Sequence, residues 1–299
     1  MSEAAYTSHA ASAAGEAGGA GSQAAIIGTL RQAIERIERH VPRLASPRWQ
    51  AGALPPPLWQ LGCPVADQRL PEAGLAANAV HEVKGVASGS GAAADWMTAL
   101  GFALRLGVRR LEAEAGQKAS KPFVLWCWPK VLAGELGRPS AAGLARLGLD
   151  PARLIMVETA RAGEAALALE EGLKSGGVAL AAGILEEVGL TPARRLSLAA
   201  AAGRTPCLLV THPKSEAAGA TATRWRIGRE PSAPHPFDPR APGARRFVFE
   251  IERCRAPRHG AGLAPLSVEW SDETHRFAVA AGLAGDLSRR PRAAGSTRG

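Results

Sequence analysis

The sequence predicts an α/β fold: a mainly parallel sheet flanked by helices, with antiparallel strands at the C-terminal end. Three observations predict it. Short apolar runs alternate with helix-like segments from about Leu61 to Thr211, which is the rhythm of strand–helix–strand units. Two of those runs, Phe123–Trp128 and Val178–Leu185, are apolar throughout, as strands buried on both faces are. After Thr211 the helical spacing stops, and strand-like runs separated by Pro/Gly-rich stretches replace it.

Composition narrows the class. The 299 residues are 46% hydrophobic and 21% charged, enough apolar material for a core and too little charge for a wholly disordered chain. No window reaches the ~18–20 uninterrupted apolar residues of a membrane span, so no membrane role is expected. The opening MSEAAYTSHAASAAGEAGGAGS lacks the basic and apolar regions of a secretory signal. Cys63, Cys127, Cys207 and Cys254 are far apart and form no CxxC pair, which excludes a zinc ribbon and a thioredoxin-type motif. A reducing cytoplasm fits them, each as a small buried hydrophobe.

Taken in order, residues 1–22 are small, polar and Gly-rich, and are expected to be disordered. Residues 23–60 hold an amphipathic helix and a Pro-rich linker. Ile27, Leu30, Ile34 and Ile37 recur at helical spacing, a face that either packs on its own domain or docks on a partner. Pro42, Pro47 and Pro55–Pro57 mark the linker. The folded domain spans 61–280. Ala79–Val83 reads as a strand, GVASGSG (Gly85–Gly91) as a loop and Ala92–Leu106 as a helix. Phe123–Trp128 is the next strand, followed by a helix at Ala141–Leu147, a strand at Leu154–Val157 and a helix at Gly163–Ser175. Val178–Leu185 reads as a central strand, Thr191–Ala202 as a helix opened by Pro192, and Cys207–Thr211 as a further strand. Arg224–Ile227, Arg245–Arg253 and Leu266–Trp270 are expected to be antiparallel strands, and 281–299 a basic disordered tail.

The strand–loop–helix at Gly85, Ser88, Gly89, Ser90 and Gly91 has the form of a phosphate cradle. A working NTPase loop also needs Lys and Ser/Thr after its last Gly. Those places hold Gly91 and Ala92 in one register and Ala92 and Ala93 in the next, so the loop is degenerate. Lys84 precedes the loop. The weaker fingerprint GxGxxA (Gly89, Gly91, Ala94) meets no acidic strand end ~20 residues on. No acid lies within Val178–Leu185, and GxSxG, HExxH and deaminase patterns are absent. His81 reads as a satisfied sheet residue, and His212 as a sensor position with nothing to sense. No catalytic residue, cofactor or metal is expected.

The net charge is +9, and Arg224–Gly299, with 14 Arg against 8 Asp and Glu, holds +6 of it. Alternation in TRWRIGR puts Arg224 and Arg226 on one face, with Trp225 and Ile227 opposite. With Arg253, Arg255 and Arg258 they are candidates for contact with single-stranded DNA or an acidic partner. The other reading makes Trp225 and Trp270 core, with the arginines paired to Glu250, Glu252 and Glu269.

Together the segments resemble a known family. AVHEVKG (Ala79–Gly85), VLWCW (Val124–Trp128), LGLDPARLIMVE (Leu147–Glu158) and ALEEGLKSGGVALAAGILEE (Ala168–Glu187) are similar to stretches of the inducible-mutagenesis protein A (ImuA) family. TPARRLSLAAAAG (Thr191–Gly203), TRWRIG (Thr223–Gly228), FEIERCR (Phe249–Arg255) and SVEW (Ser267–Trp270) continue the match in the same order. The resemblance spans roughly Ala24 to Ala281 and implies a RecA-like core related to the division inhibitor SulA. It implies a cytoplasmic accessory role in damage-induced (SOS) error-prone translesion synthesis. The implied partners are RecA, an inactive Y-family polymerase homologue and an error-prone C-family polymerase. It also implies an incomplete ATPase motif. One departure is that Gly183-Ile184-Leu185 stands before Glu186, where the family commonly has an acid sooner. The alternatives are an ATPase with a rearranged loop using Lys84, and a SulA-like inhibitor of FtsZ.

Overall fold

The computed structural model describes residues 57–87, 92–115, 121–216, 219–232, 234–235, 237–238, 240–254 and 263–280. All of them belong to the compact unit Leu54–Gly299. The helix face of Ile27, Leu30, Ile34 and Ile37, loop residues Ser88, Gly89, Ser90 and Gly91, residues Arg255 and Arg258, and the tail 281–299 lie outside the described residues.

Strands β1 (Leu58–Trp59) and β2 (Leu75–Ala76) pair antiparallel around helix α1 (Pro64–Asp67). The buried carboxylate of Asp67 accepts the N–H groups of Leu61 (2.7 Å) and Gly62 (3.2 Å) and closes that corner. β1 falls at the end of the segment read as linker, because Trp59 is buried in the core and holds the chain there. The alternating region follows as β3 (Val80–Gly85), α2 (Ala92–Ala115), β4 (Phe123–Pro129), α3 (Lys130–Leu136), α4 (Ala141–Arg146), β5 (Leu154–Thr159), α5 (Ala162–Ser175), β6 (Val178–Leu185), α6 (Leu190–Gly203) and β7 (Cys207–Thr211). β8 (Thr223–Glu230), β9 (Arg246–Cys254), β10 (Leu266–Ser271) and β11 (Arg276–Val279) complete it.

Local chemistry sets several boundaries. Ser140 caps α4 by accepting the N–H of Gly143 at 3.1 Å, and Glu164 accepts the N–H groups of Ala160 and Arg161 at the start of α5. Gly176, at φ 69°, ends α5 in the left-handed conformation that glycine adopts without strain.

Nine strands form one sheet in the order β5-β4-β6-β7-β3-β8-β9-β10-β11. From β5 to β8 all neighbours run parallel, and from β8 to β11 they alternate. The α/β class and the antiparallel C-terminal strands are as the sequence predicts. One expectation is corrected: β8 is antiparallel only to β9 and lies parallel to β3, because 212–222 carries the chain across the sheet before β8 begins. Hairpin strand β11 and helix α3 were not anticipated.

Strand periodicity divides the core in two. Val124, Trp126 and Trp128 face one side of β4 with Leu180, Ala182 and Ile184 of β6, and the long helix α2 covers them. Leu125 and Cys127 face the other side, against Leu169 and Leu173 of α5 and Leu196 of α6. Beyond β8 the first side continues as an aromatic cluster, with Trp225, Phe247, Phe249 and Phe277 around Phe102 of α2. Arg105 of α2 is buried there, its guanidinium between the faces of Phe247 (5.2 Å) and Trp270 (5.5 Å).

Two bulges interrupt the ladder. Phe123 pairs with Val178 and Val124 with Leu180, so Ala179 has no partner across the strand, and its carbonyl accepts from Arg110 Nε (3.1 Å). Arg224 pairs with Arg253 and Trp225 with Ile251, which leaves Glu252 as the extra residue on β9. The sheet's two edges also differ. β5 exposes apolar Ile155 (41%) and Met156 (37%), whereas the short β11 carries an exposed Arg276.

Candidate functional site

The candidate site lies toward the C-terminal ends of β3 and β7, the end at which ligands of open α/β sheets bind, and takes in the N-terminal half of β8. β3 is buried along its length. Its last residue, Gly85, meets the first turn of α2 so closely that a Cβ there would stand 2.2 Å from the Asp95 carbonyl oxygen. This is a packing reason for glycine at the head of the loop, independent of any phosphate.

His81 is a sheet residue with both nitrogens occupied. Nε2 donates to the Ala76 carbonyl at 2.9 Å, which leaves Nδ1 to accept from Thr223 Oγ1 at 2.8 Å. Burial lowers its pKa to about 4, so the ring is neutral and not poised as a base. His212, just past β7, accepts the N–H of Lys214 (3.1 Å) and packs edge-on against Trp96 of α2. Glu186 and Glu187 are exposed in the turn between β6 and α6. Among the described residues no group of three or more His, Cys, Asp or Glu can hold a metal ion. The thiols of Cys127 and Cys207 are buried, and burial pushes Cys127 up to about 12, far from a reactive thiolate.

The charged groups converge on the sheet face opposite α2. Lys84 of β3 and Arg224 and Arg226 of β8 all point to one carboxylate, Glu252 of β9. Lys84 Nζ is 3.2 Å from Oε2, Arg224 Nε is 3.1 Å from the same oxygen, and Arg226 Nη2 pairs with Oε1. Glu82 of β3 lies 3.6 Å from Arg224 Nη2 and accepts from Thr211 Oγ1 at 2.8 Å. Burial holds its carboxyl above the usual glutamate range, against the opposing pull of Arg224 and the Thr211 hydroxyl. Lys84 and Arg224 both donate to the Ser215 carbonyl, which fastens the segment after β7 to the sheet.

The proposed contact residues therefore separate. Arg224 and Arg226 do share a face, but Arg224 is 2% exposed and ion-paired. Trp225 is fully buried on the opposite face, 5.2 Å from Phe249. Arg226, 42% exposed, pairs with Glu252 and Glu250, and Arg253 Nη2 donates to the Gly219 carbonyl at 3.0 Å. Arg246 takes Glu269. The pairing partners were legible as alternating glutamates in FEIER. The role of Lys84 was missed, and its only signal was its place beside Glu82 on a strand. The described residues carry a net charge of +2 out of the chain's +9, so most of the basic excess lies elsewhere in the chain. No helix among the described residues is long and apolar enough to cross a membrane.

No protein-family model matches the chain. Protein ImuA of Caulobacter vibrioides, from strains NA1000/CB15N and ATCC 19089/CB 15, is 32% identical to it over 243 residues. The match covers 77% of this chain and 91% of each relative. Identity at that level over nearly the whole relative places the chain in the ImuA family.

Proposed function

We propose that this chain is a non-enzymatic accessory protein of damage-induced, error-prone translesion DNA synthesis. Its RecA-like core serves as a docking platform for RecA, an inactive Y-family polymerase homologue and an error-prone C-family polymerase in the cytoplasm. The observation that carries the reading is the fate of Lys84, the cation nearest the degenerate loop. It is turned onto the sheet face opposite α2 and engaged by Glu252 and the Ser215 carbonyl, so the cation that a rearranged ATPase would have to use is already paired within the sheet. Family membership agrees, and β5 offers a surface for docking. It is an edge strand whose apolar Ile155 and Met156 are open to solvent, so a partner strand can extend the sheet there.

The test is capture of the three partner proteins from damaged cells by wild-type protein and by an Ile155→Lys/Met156→Lys variant, alongside ATP turnover with and without DNA. The expected result is unchanged thermal stability, loss of at least one partner in the variant, and no turnover. ATP hydrolysis abolished by changes in 85–91 would overturn the reading.

A further inference from the structure

We propose that Glu252 is an internal plug in an oxyanion seat built from Lys84, Arg224 and Arg226, a seat that a phosphate group takes when the carboxylate withdraws. Three cations from two neighbouring strands share Glu252 as their common carboxylate. Their other acceptors are Glu82 beside Arg224 (3.6 Å), Glu250 beside Arg226 (3.8 Å) and the Ser215 carbonyl, so withdrawal of Glu252 leaves a surplus of one positive charge and its donors. Arg224 Nη1 is buried and makes no hydrogen bond among the described residues. A phosphate brings the extra oxygens that this surplus lacks, and arginine's planar fork suits it.

The β9 bulge is the second, independent observation. Glu252 is the residue without a cross-strand partner, so the kink aims its carboxylate between Arg224 and Arg226. It sits two residues from the end of β9, so it can leave without disturbing the sheet centre. Access exists on this side. Glu252 is 16% and Arg226 42% exposed, and among the described residues no helix covers this face of β9. The seat lies on the sheet face opposite the contact of Gly85 with α2, because Lys84 and Gly85 alternate to opposite faces. The inference does not rest on the accessory role, since the outcome below is independent of which proteins the chain binds.

The shared ligand chemistry is a phosphate oxyanion, from either a polyphosphate or a nucleic-acid backbone. Wild-type protein and Glu252→Gln are titrated at constant ionic strength with sodium pyrophosphate and, separately, with an unphosphorylated single-stranded oligonucleotide. Glu252→Gln is expected to bind at least one of them about ten-fold tighter than wild type, the effect of one charge-assisted contact. Adding Lys84→Met and Arg226→Met should return the variant to the wild-type level. A gain with pyrophosphate assigns the seat to terminal phosphates, and a gain with the oligonucleotide alone assigns it to the diester backbone. Equal affinities in both titrations, or a gain that survives the Lys84 and Arg226 changes, overturn the proposal. If circular dichroism finds Glu252→Gln unfolded, Glu252→Asp, which retracts the plug by one methylene, is titrated under the same criteria.

Discussion

Replacing Arg110 with Met removes a guanidinium that lies under the sheet and serves two acceptors at once. Its Nη2 is 2.5 Å from Glu114 Oε2, with both side chains no more than 3% exposed, and its Nε holds the Ala179 carbonyl freed by the β6 bulge. Without it Glu114 keeps, among the described residues, the N–H of Lys121 at 3.2 Å and the more distant attraction of the Lys121 ammonium. Breaking a buried pair from one side costs about 3–5 kcal/mol, because a charge stays behind unpaired. The orphaned carbonyl costs about 1–3 kcal/mol in addition. Arg110→Met/Glu114→Leu removes both charges together, so only the carbonyl cost should remain. The single variant is then expected to lose roughly 4 kcal/mol or more, with the double variant recovering about 3 kcal/mol of it. Urea unfolding of wild type, both single variants and the double variant closes the cycle. If the double variant is as unstable as Arg110→Met to within about 0.5 kcal/mol, the two residues are not coupled and the argument fails.

Other outcomes follow from the same physics. The pKa of His81 is lowered by burial to about 4 from 6.5, so its neutral form stabilises the fold fully above pH 6.5 and progressively less as pH falls toward 4. Over that window wild type should lose about 3 kcal/mol that His81→Gln does not, read from urea midpoints at several pH values. Gly85→Ala should cost about 1–3 kcal/mol by overpacking against the α2 backbone, and calorimetry without any nucleotide should detect it. Arg105→Met should change stability by less than about 1.5 kcal/mol, because that guanidinium is held by two aromatic rings and leaves no buried carboxylate behind. A loss as large as that of Arg110→Met would contradict this.

Much of the architecture was legible because it is written in local periodicity. The apolar runs of β4 and β6 announced buried strands, and the alternation in TRWRIGR placed Arg224 and Arg226 opposite Trp225 correctly. The direction of β8 was not legible, because it depends on pairing with β3, some 140 residues earlier in the chain. For the same reason the meeting of Lys84 with Glu252 had no local signature. Bulges are equally silent: nothing in Glu252 or Ala179 themselves says that a strand skips them. At the site, the sequence identified the residue types and the competing ion-pair reading, and only the fold selected which arginines are spent inside.

The position of β3 between β7 and β8 governs how this chain can be dissected. During synthesis β3 leaves the ribosome long before either neighbour exists, so its backbone groups wait for partners more than 120 residues away. Any fragment that stops before Cys207 lacks both β7 and β8 and leaves β3 with both sides bare. Such a piece will be sticky for reasons unrelated to recognition. Mapping of binding regions therefore belongs to point changes and terminal trimming, since cuts inside the core manufacture the very adhesion they are meant to locate.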